Sequence, residues 1–160
     1  MIDLRPVGYI IGILVGVLGL TMLVPFSVDY LMGGSNASTF ALCAMITAVA
    51  GGLLVLSCAN ASLKTLTRQQ TFLLTTLSWL VLPVFGALPF WFGEPNASYT
   101  DSFFEAMSGL TTTGSTVFSG LDAMSKGTLL WRGMLQWFGG VGIIVVALAF
   151  LPTLKVGGMQ

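Results

Sequence analysis

DSFFEAMSGLTTTGSTVFSGLDAM, residues 101–124, fits neither a membrane span nor an ordinary loop. Phe103, Phe104, Met107 and Leu110 recur at helical spacing behind Asp101, which reads as the N-cap. Two or three turns of helix are expected, too short to cross a hydrocarbon core of about 30 Å. The chain then runs into Thr111-Thr112-Thr113-Gly114-Ser115-Thr116, and ten of the 16 residues between Glu105 and Asp122 are Ser, Thr or Gly. At membrane depth, non-helical backbone survives only when it is buried in protein or lines water. The segment is therefore either a loop outside the membrane or a re-entrant pore loop, and the apolar face of the short helix favours re-entry. A threonine-rich run around one glycine suits a carbonyl-lined cation site, whose oxygens replace an ion's water shell level by level. Aligning those carbonyls demands some positive φ angles, which glycine tolerates and β-branched residues do not.

On either side of this segment the charges leave long gaps. Residues 7–28 and 133–154 are uncharged over 22 positions each, and 39–63 and 69–93 over 25 each. About 20 helical residues span a bilayer, so four spans fit. Composition agrees: 55% of the chain is hydrophobic and 8% charged, with mean hydropathy +0.92, where soluble domains are about 25% charged. That excludes a nucleic-acid binder built on basic patches, a disordered tail and an extracellular disulfide scaffold. Six basic and six acidic residues balance, and the absence of histidine removes the usual general base and the commonest metal ligand. The first span reads as a retained helix, because Asp3 and Arg5 cancel ahead of it and its apolar stretch exceeds a signal peptide's. The fold class is an all-α membrane protein: four transmembrane helices plus one re-entrant pore helix and filter loop.

A cytoplasmic N-terminus places Arg5, Lys64, Arg68 and Lys155 inside and Lys126 and Arg132 outside, so both termini are expected in the cytoplasm. Tyr30, Trp91, Tyr99 and Trp131 then fall where an outer aromatic belt would sit. The first two spans form a hairpin around a Gly-Gly-Ser-Asn turn. Gly8, Gly12 and Gly16 on one, and Ala44, Ala48 and Gly52 on the other, form small-residue stripes that let helices approach closely; glycine is also simply common in membrane helices. Cys43 and Cys58, about 22 Å apart on one helix, cannot bridge each other and read as apolar fillers. Pro83, Gly86 and Pro89 predict a kink or early end in the third span, and Gly139, Gly140 and Gly142 close packing or a bend in the fourth. The Asn-Ala-Ser sequons at Asn36, Asn60 and Asn96 read as chance.

FFEAMSGLTTTGST at 103–116, with GALPFW before it and WRGMLQWFGGVGIIVVALAFLP after it, closely resembles the Trk/Ktr/HKT potassium transporter superfamily, and its TrkH-type bacterial subunits in particular. By that likeness residues 1–63 are the extra N-terminal helix pair, and 69–155 the first helix–pore-loop–helix repeat with its filter at 111–116. The resemblance implies potassium uptake across a bacterial inner membrane by four such repeats around one pore. Thr111, Thr112, Thr113, Gly114 and Ser115 would supply this repeat's filter carbonyls, with K+ at Thr112, Thr113 and Gly114 and with Gly114 as the filter glycine. No cofactor is implied, K+ being the transported ion. The partners implied are the three remaining repeats, a second copy in a homodimer, a cytosolic nucleotide-binding TrkA-like subunit and the lipid bilayer, with no nucleic acid. Channel-like conduction and symport both stay open. One loop offers one carbonyl per level where potassium-selective rings use four, so the chain is expected to be a fragment of a four-repeat transporter; a short form that tetramerises is the alternative.

Glu105 and Arg132 stand out as ionisable residues in segments of membrane depth, which are costly unless paired or wet. Either they pair and tie the pore helix to the fourth span, or both reach outer water. Asp101 and Asp122 flank the filter, where they would concentrate cations or simply solvate the loop. An intramembrane enzyme lacks a nucleophile with a base or a metal, so no enzyme is expected. The competing function is a non-conducting membrane scaffold or assembly module, in which the hairpin matters most and 111–116 tolerate bulky change.

Overall fold

The structure, a computed structural model, describes residues 3–61 and 66–150, with side chains to residue 147. Lys64, Lys155 and the ends of the expected 1–63 and 69–155 units lie outside the described residues. Helices α1 (Arg5–Thr21) and α2 (Leu23–Met32) run nearly end to end, and α3 (Ala37–Ser57) returns beside them. A second pair, α4 (Arg68–Gly86) and α5 (Leu88–Phe92), leads to the short α6 (Tyr99–Leu110) and the long α7 (Lys126–Phe150). Among the described residues, four helical stretches are long and apolar enough to cross a membrane: Arg5–Met32, Ala37–Ser57, Arg68–Phe92 and Lys126–Ala147. At 12 residues α6 is too short to cross.

The interruptions have covalent causes. Pro25 has no N–H for the Thr21 carbonyl, and the first span breaks at Met22, whose amide turns to Gly19 O at 3.2 Å. Pro89 likewise has none for Phe85, and the third span is interrupted at Ala87. Trp131 Nε1 donates to Gly86 O beside that break at 2.9 Å. Trp131 is thus fully buried at the centre of the core, among Phe90, Ala106, Leu110 and Leu135, and does not belong to an interfacial belt. An indole with a buried carbonyl to bond can leave the interface at no polar cost.

Helices α1 and α3 approach so closely that glycines replace side chains at the crossing. A Cβ on Gly12 would lie 2.9 Å from Gly51 O, one on Gly19 2.7 Å from Ala48 N, and one on Gly51 2.5 Å from Gly16 N. The contact stripe on α3 is therefore Ala44, Ala48 and Gly51, whereas Gly52 faces open space. A strict four-residue step drifts around a helix with 3.6 residues per turn, and the structure follows the helix. The fourth span shows no break, α7 being continuous through Gly139, Gly140 and Gly142.

At one end of the bundle a buried polar cluster joins the first helix pair to α7. Asp29 is fully buried, and its Oδ1 accepts the Gly127 amide at 2.7 Å, in the first turn of α7. Asn36 Nδ2 donates to Thr128 Oγ1 at 2.9 Å, and Asn36 Oδ1 accepts the Glu94 amide at 3.1 Å. Glu94 in turn accepts Ser35 Oγ–H at 3.0 Å and the Ser125 amide at 3.0 Å. Asn36, 4% exposed with both side-chain atoms engaged, is closed to a glycan. No charge or hydropathy pattern singled out Asp29 or Asn36.

Candidate functional site

Helix α6 is capped by Ser98, three residues earlier than the expected Asp101. Ser98 Oγ accepts the Asp101 amide at 3.1 Å and donates to Asp101 Oδ2 at 2.8 Å, so Asp101 sits in the first turn. There its charge complements the helix N-terminus. Tyr99 begins the helix and donates to Val84 O at 3.3 Å; partial burial pushes its phenol above the usual range. Of the expected apolar face, Leu110 is buried, Phe103 and Met107 are half-buried and Phe104 is exposed. The buried face also carries Ser102, Glu105 and Ser108.

The helix ends in a Schellman motif. Thr113 N donates to Ser108 O at 3.0 Å and Thr112 N to Gly109 O at 2.9 Å, around Thr112 in the left-handed region at φ +56°. Glycine usually takes that seat. A β-branched residue holding it departs from the expectation that only Gly114 would adopt positive φ, and it places local strain near the start of the 111–116 segment. Thr111 Oγ1 bonds back to Met107 O at 2.8 Å and meets Thr113 Oγ1 at 2.8 Å, so two threonine hydroxyls brace the turn. At this same end of α6, Gly139 makes room for the backbone, because a Cβ there would overlap the Leu110 carbonyl.

Residues 111–117 are all exposed. Among the described residues, no donor reaches the carbonyls of Thr111, Thr112, Thr113 or Gly114. Ser115 differs: its carbonyl accepts Ser108 Oγ–H at 2.6 Å and is directed at α6. Gly114 has φ +78°, yet a Cβ there would meet no atom within 4 Å. Within this chain the constraint on Gly114 is therefore conformational, and any side chain would enter open space beside the free carbonyls.

Glu105 and Arg132 meet. Arg132 Nε donates to Glu105 Oε1 at 2.6 Å, and an Nη2 contact adds to the ion pair. Glu105 Oε2 accepts Thr116 Oγ1–H at 2.9 Å and the Val117 amide at 3.2 Å, so one carboxylate gathers α6, α7 and the end of the loop. Its side chain is 2% exposed, a depth at which an unpaired carboxylate would be untenable. Between these parts lies a cleft of about 420 Å³, lined by Glu105, Ser108, Gly114, Thr116, Arg132 and Gln136. Asp122 lies exposed in a short 3-10 turn, Leu121–Ala123. Sequence reasoning missed Ser108, because a hydroxyl bonded to a carbonyl seven residues on has no local signature. No cluster of three metal-ligating side chains occurs among the described residues.

Residues 36–160 match the family model TrkH, described as a cation transport protein. The chain is 44% identical over 158 residues to the Trk system potassium uptake protein TrkH of Escherichia coli K12, covering 98% of this chain and 32% of that protein. It is 42% identical over 158 residues to the protein of that name from Halomonas elongata, covering 98% and 33%. Its structure is similar to the crystal structure of the potassium transporter TrkH from Vibrio parahaemolyticus, with a TM-score of 0.89 and 40% identity, over 99% of this chain and 34% of that one. The chain thus spans about a third of the length of the curated relatives it matches.

Proposed function

Since this chain belongs to the TrkH family of cation transport proteins, we propose that it forms the first pore-loop unit of a potassium uptake system and lends one strand to a K+-selective filter. The observation that carries this reading is the segment Thr111–Gly114: exposed, left-handed at Thr112 and Gly114, with four carbonyls free of protein donors. Free carbonyls on a segment braced from behind are what a dehydrated cation requires. K+ would meet Thr112, Thr113 and Gly114, while Ser115 serves the loop's anchorage. One strand cannot encircle an ion, so further polypeptide completes the ring, and the greater length of the relatives supports this. The ion pair Glu105–Arg132 holds the loop against α7 and cancels the arginine's charge near a cation path.

The rest of the assembly follows the family likeness: a multi-pass protein of the bacterial inner membrane with cytoplasmic termini, a homodimer, and a cytosolic nucleotide-binding TrkA-like subunit. The reading is tested by Rb+ uptake in potassium-starved cells lacking other uptake systems. They would carry the complete product of the gene containing this sequence, with Gly114 intact or changed by Gly114→Asp. Uptake that vanishes in the variant at equal membrane expression supports the filter assignment. Equal uptake would refute it, and no uptake by either, with the intact protein folded in the membrane, would favour the scaffold reading.

A further inference from the structure

The segment after the free carbonyls is held in an unusual way. From Gly114 to Ser119 no backbone–backbone hydrogen bond occurs among the described residues. The segment is tied to the pore helix by side chains alone: Ser108 at the Ser115 carbonyl, and Glu105 at Thr116 and Val117. Both anchors are 3% exposed, and they lie three residues apart, on one face of α6. No atom lies within 4 Å of a Cβ built at Gly114 and residues 115–117 are exposed, so packing takes over from these bonds only at Phe118, whose ring meets Phe90.

We infer that Ser108 is a specificity-determining positioning residue, its hydroxyl fixing the height and direction of the Thr112–Gly114 carbonyls by gripping the one that follows them. The inference rests on the filter reading proposed above. Ser108 acts at both ends of the turn, since its own carbonyl accepts the Thr113 amide at 3.0 Å while its hydroxyl donates to the Ser115 carbonyl at 2.6 Å. Thr113 and Gly114 are therefore suspended between two bonds to one residue. Without the hydroxyl the Ser115 peptide is free to rotate, its carbonyl can swing toward the ion, and the spacing of the carbonyls before it relaxes. An ion of a different radius then finds ligands at its own distance, and discrimination falls although every filter residue is unchanged. Helix α6 should persist, because the Ser108 main-chain bond to Thr113 does not involve the side chain.

The experiment compares Rb+ and Na+ uptake by the complete gene product carrying Ser108, Ser108→Ala or Ser108→Thr, with thermal melts of each purified protein. Ser108→Ala is expected to lower Rb+ over Na+ discrimination by roughly two- to tenfold, the worth of one net hydrogen bond, with little change in melting temperature. Ser108→Thr, which keeps the hydroxyl, should restore it. Selective uptake by the intact protein that is unchanged in Ser108→Ala would overturn this inference alone. A Ser108→Thr protein that melts normally but discriminates no better than Ser108→Ala would overturn it too. Absence of selective uptake in the intact protein would remove the filter reading and the inference with it.

Discussion

Gly114 and Gly139 show two different reasons for glycine within one site. At Gly114 the backbone lies at φ +78° and the space beyond is empty; at Gly139 the helix is ordinary but the Leu110 carbonyl occupies the place of a Cβ. Gly114→Ala should therefore cost about 1–2 kcal/mol, the penalty of left-handed backbone for an L-residue. Gly139→Ala must push α6 away from α7, and should cost more and disturb the packing around Leu135. Thermal melts of the two purified variants check this ordering; equal losses would show that the α6–α7 contact yields easily. Thr112 belongs at this scale as well. Its left-handed seat is paired with a Schellman turn and two bracing hydroxyls, so the strain sits where the free carbonyls begin.

Among the elements, α7 starts on a residue from elsewhere in the chain. Its first turn receives Ser125 Oγ at the Thr128 amide and Asp29 Oδ1 at the Gly127 amide, the latter from α2, 98 residues away in sequence. A buried carboxylate at a helix N-terminus satisfies an amide and complements the helix dipole. Cβ atoms on Gly34 or Gly127 would both collide with Asp29, so the site is built around this side chain. Asp29→Ala should cost about 1–2 kcal/mol as a lost cap, and Asp29→Asn less, because the amide oxygen can still accept. Hydrogen exchange at Gly127 and Thr128 should accelerate in Asp29→Ala while exchange in the middle of α3 does not. Uniform acceleration would mean that Asp29 supports the whole bundle and not this junction.

In the molecule as a whole, the first helix pair is a fitted support for the helices that follow it. It is closed on itself at the glycine crossing of α1 and α3, and fastened to the start of α7 through Asp29 and Asn36. Gly51→Val should therefore lower the yield of folded, monodisperse protein in detergent, since its side chain would enter the α1 backbone near Gly16. The neighbouring Gly52→Val, which points into open space, should not. Comparable yields for both variants would show that the crossing tolerates separation.

Much of this arrangement was already written in the one-dimensional pattern. Uncharged stretches of 22 and 25 residues specify four spans, because burying charge in hydrocarbon is prohibitive wherever the chain ends up. The polar, glycine-bearing run at 101–124 marks a loop that lipid cannot accept, and prolines mark the interruptions, since a missing N–H is a covalent fact. Which groups meet across the fold was a matter for packing. Ser108 with Ser115, Glu105 with Val117, and Asp29 with Gly127 are bonds between a side chain and a backbone group, and any residue but proline offers the same backbone groups. Nothing in local composition distinguishes one amide or carbonyl from another. The partner is selected when α6, α7 and the first helix pair come together and bring a particular backbone group within reach of each of these side chains. Trp131 in the core, Gly51 in place of Gly52 at the crossing, and the left-handed Thr112 have the same origin: each depends on what lies beside it in space.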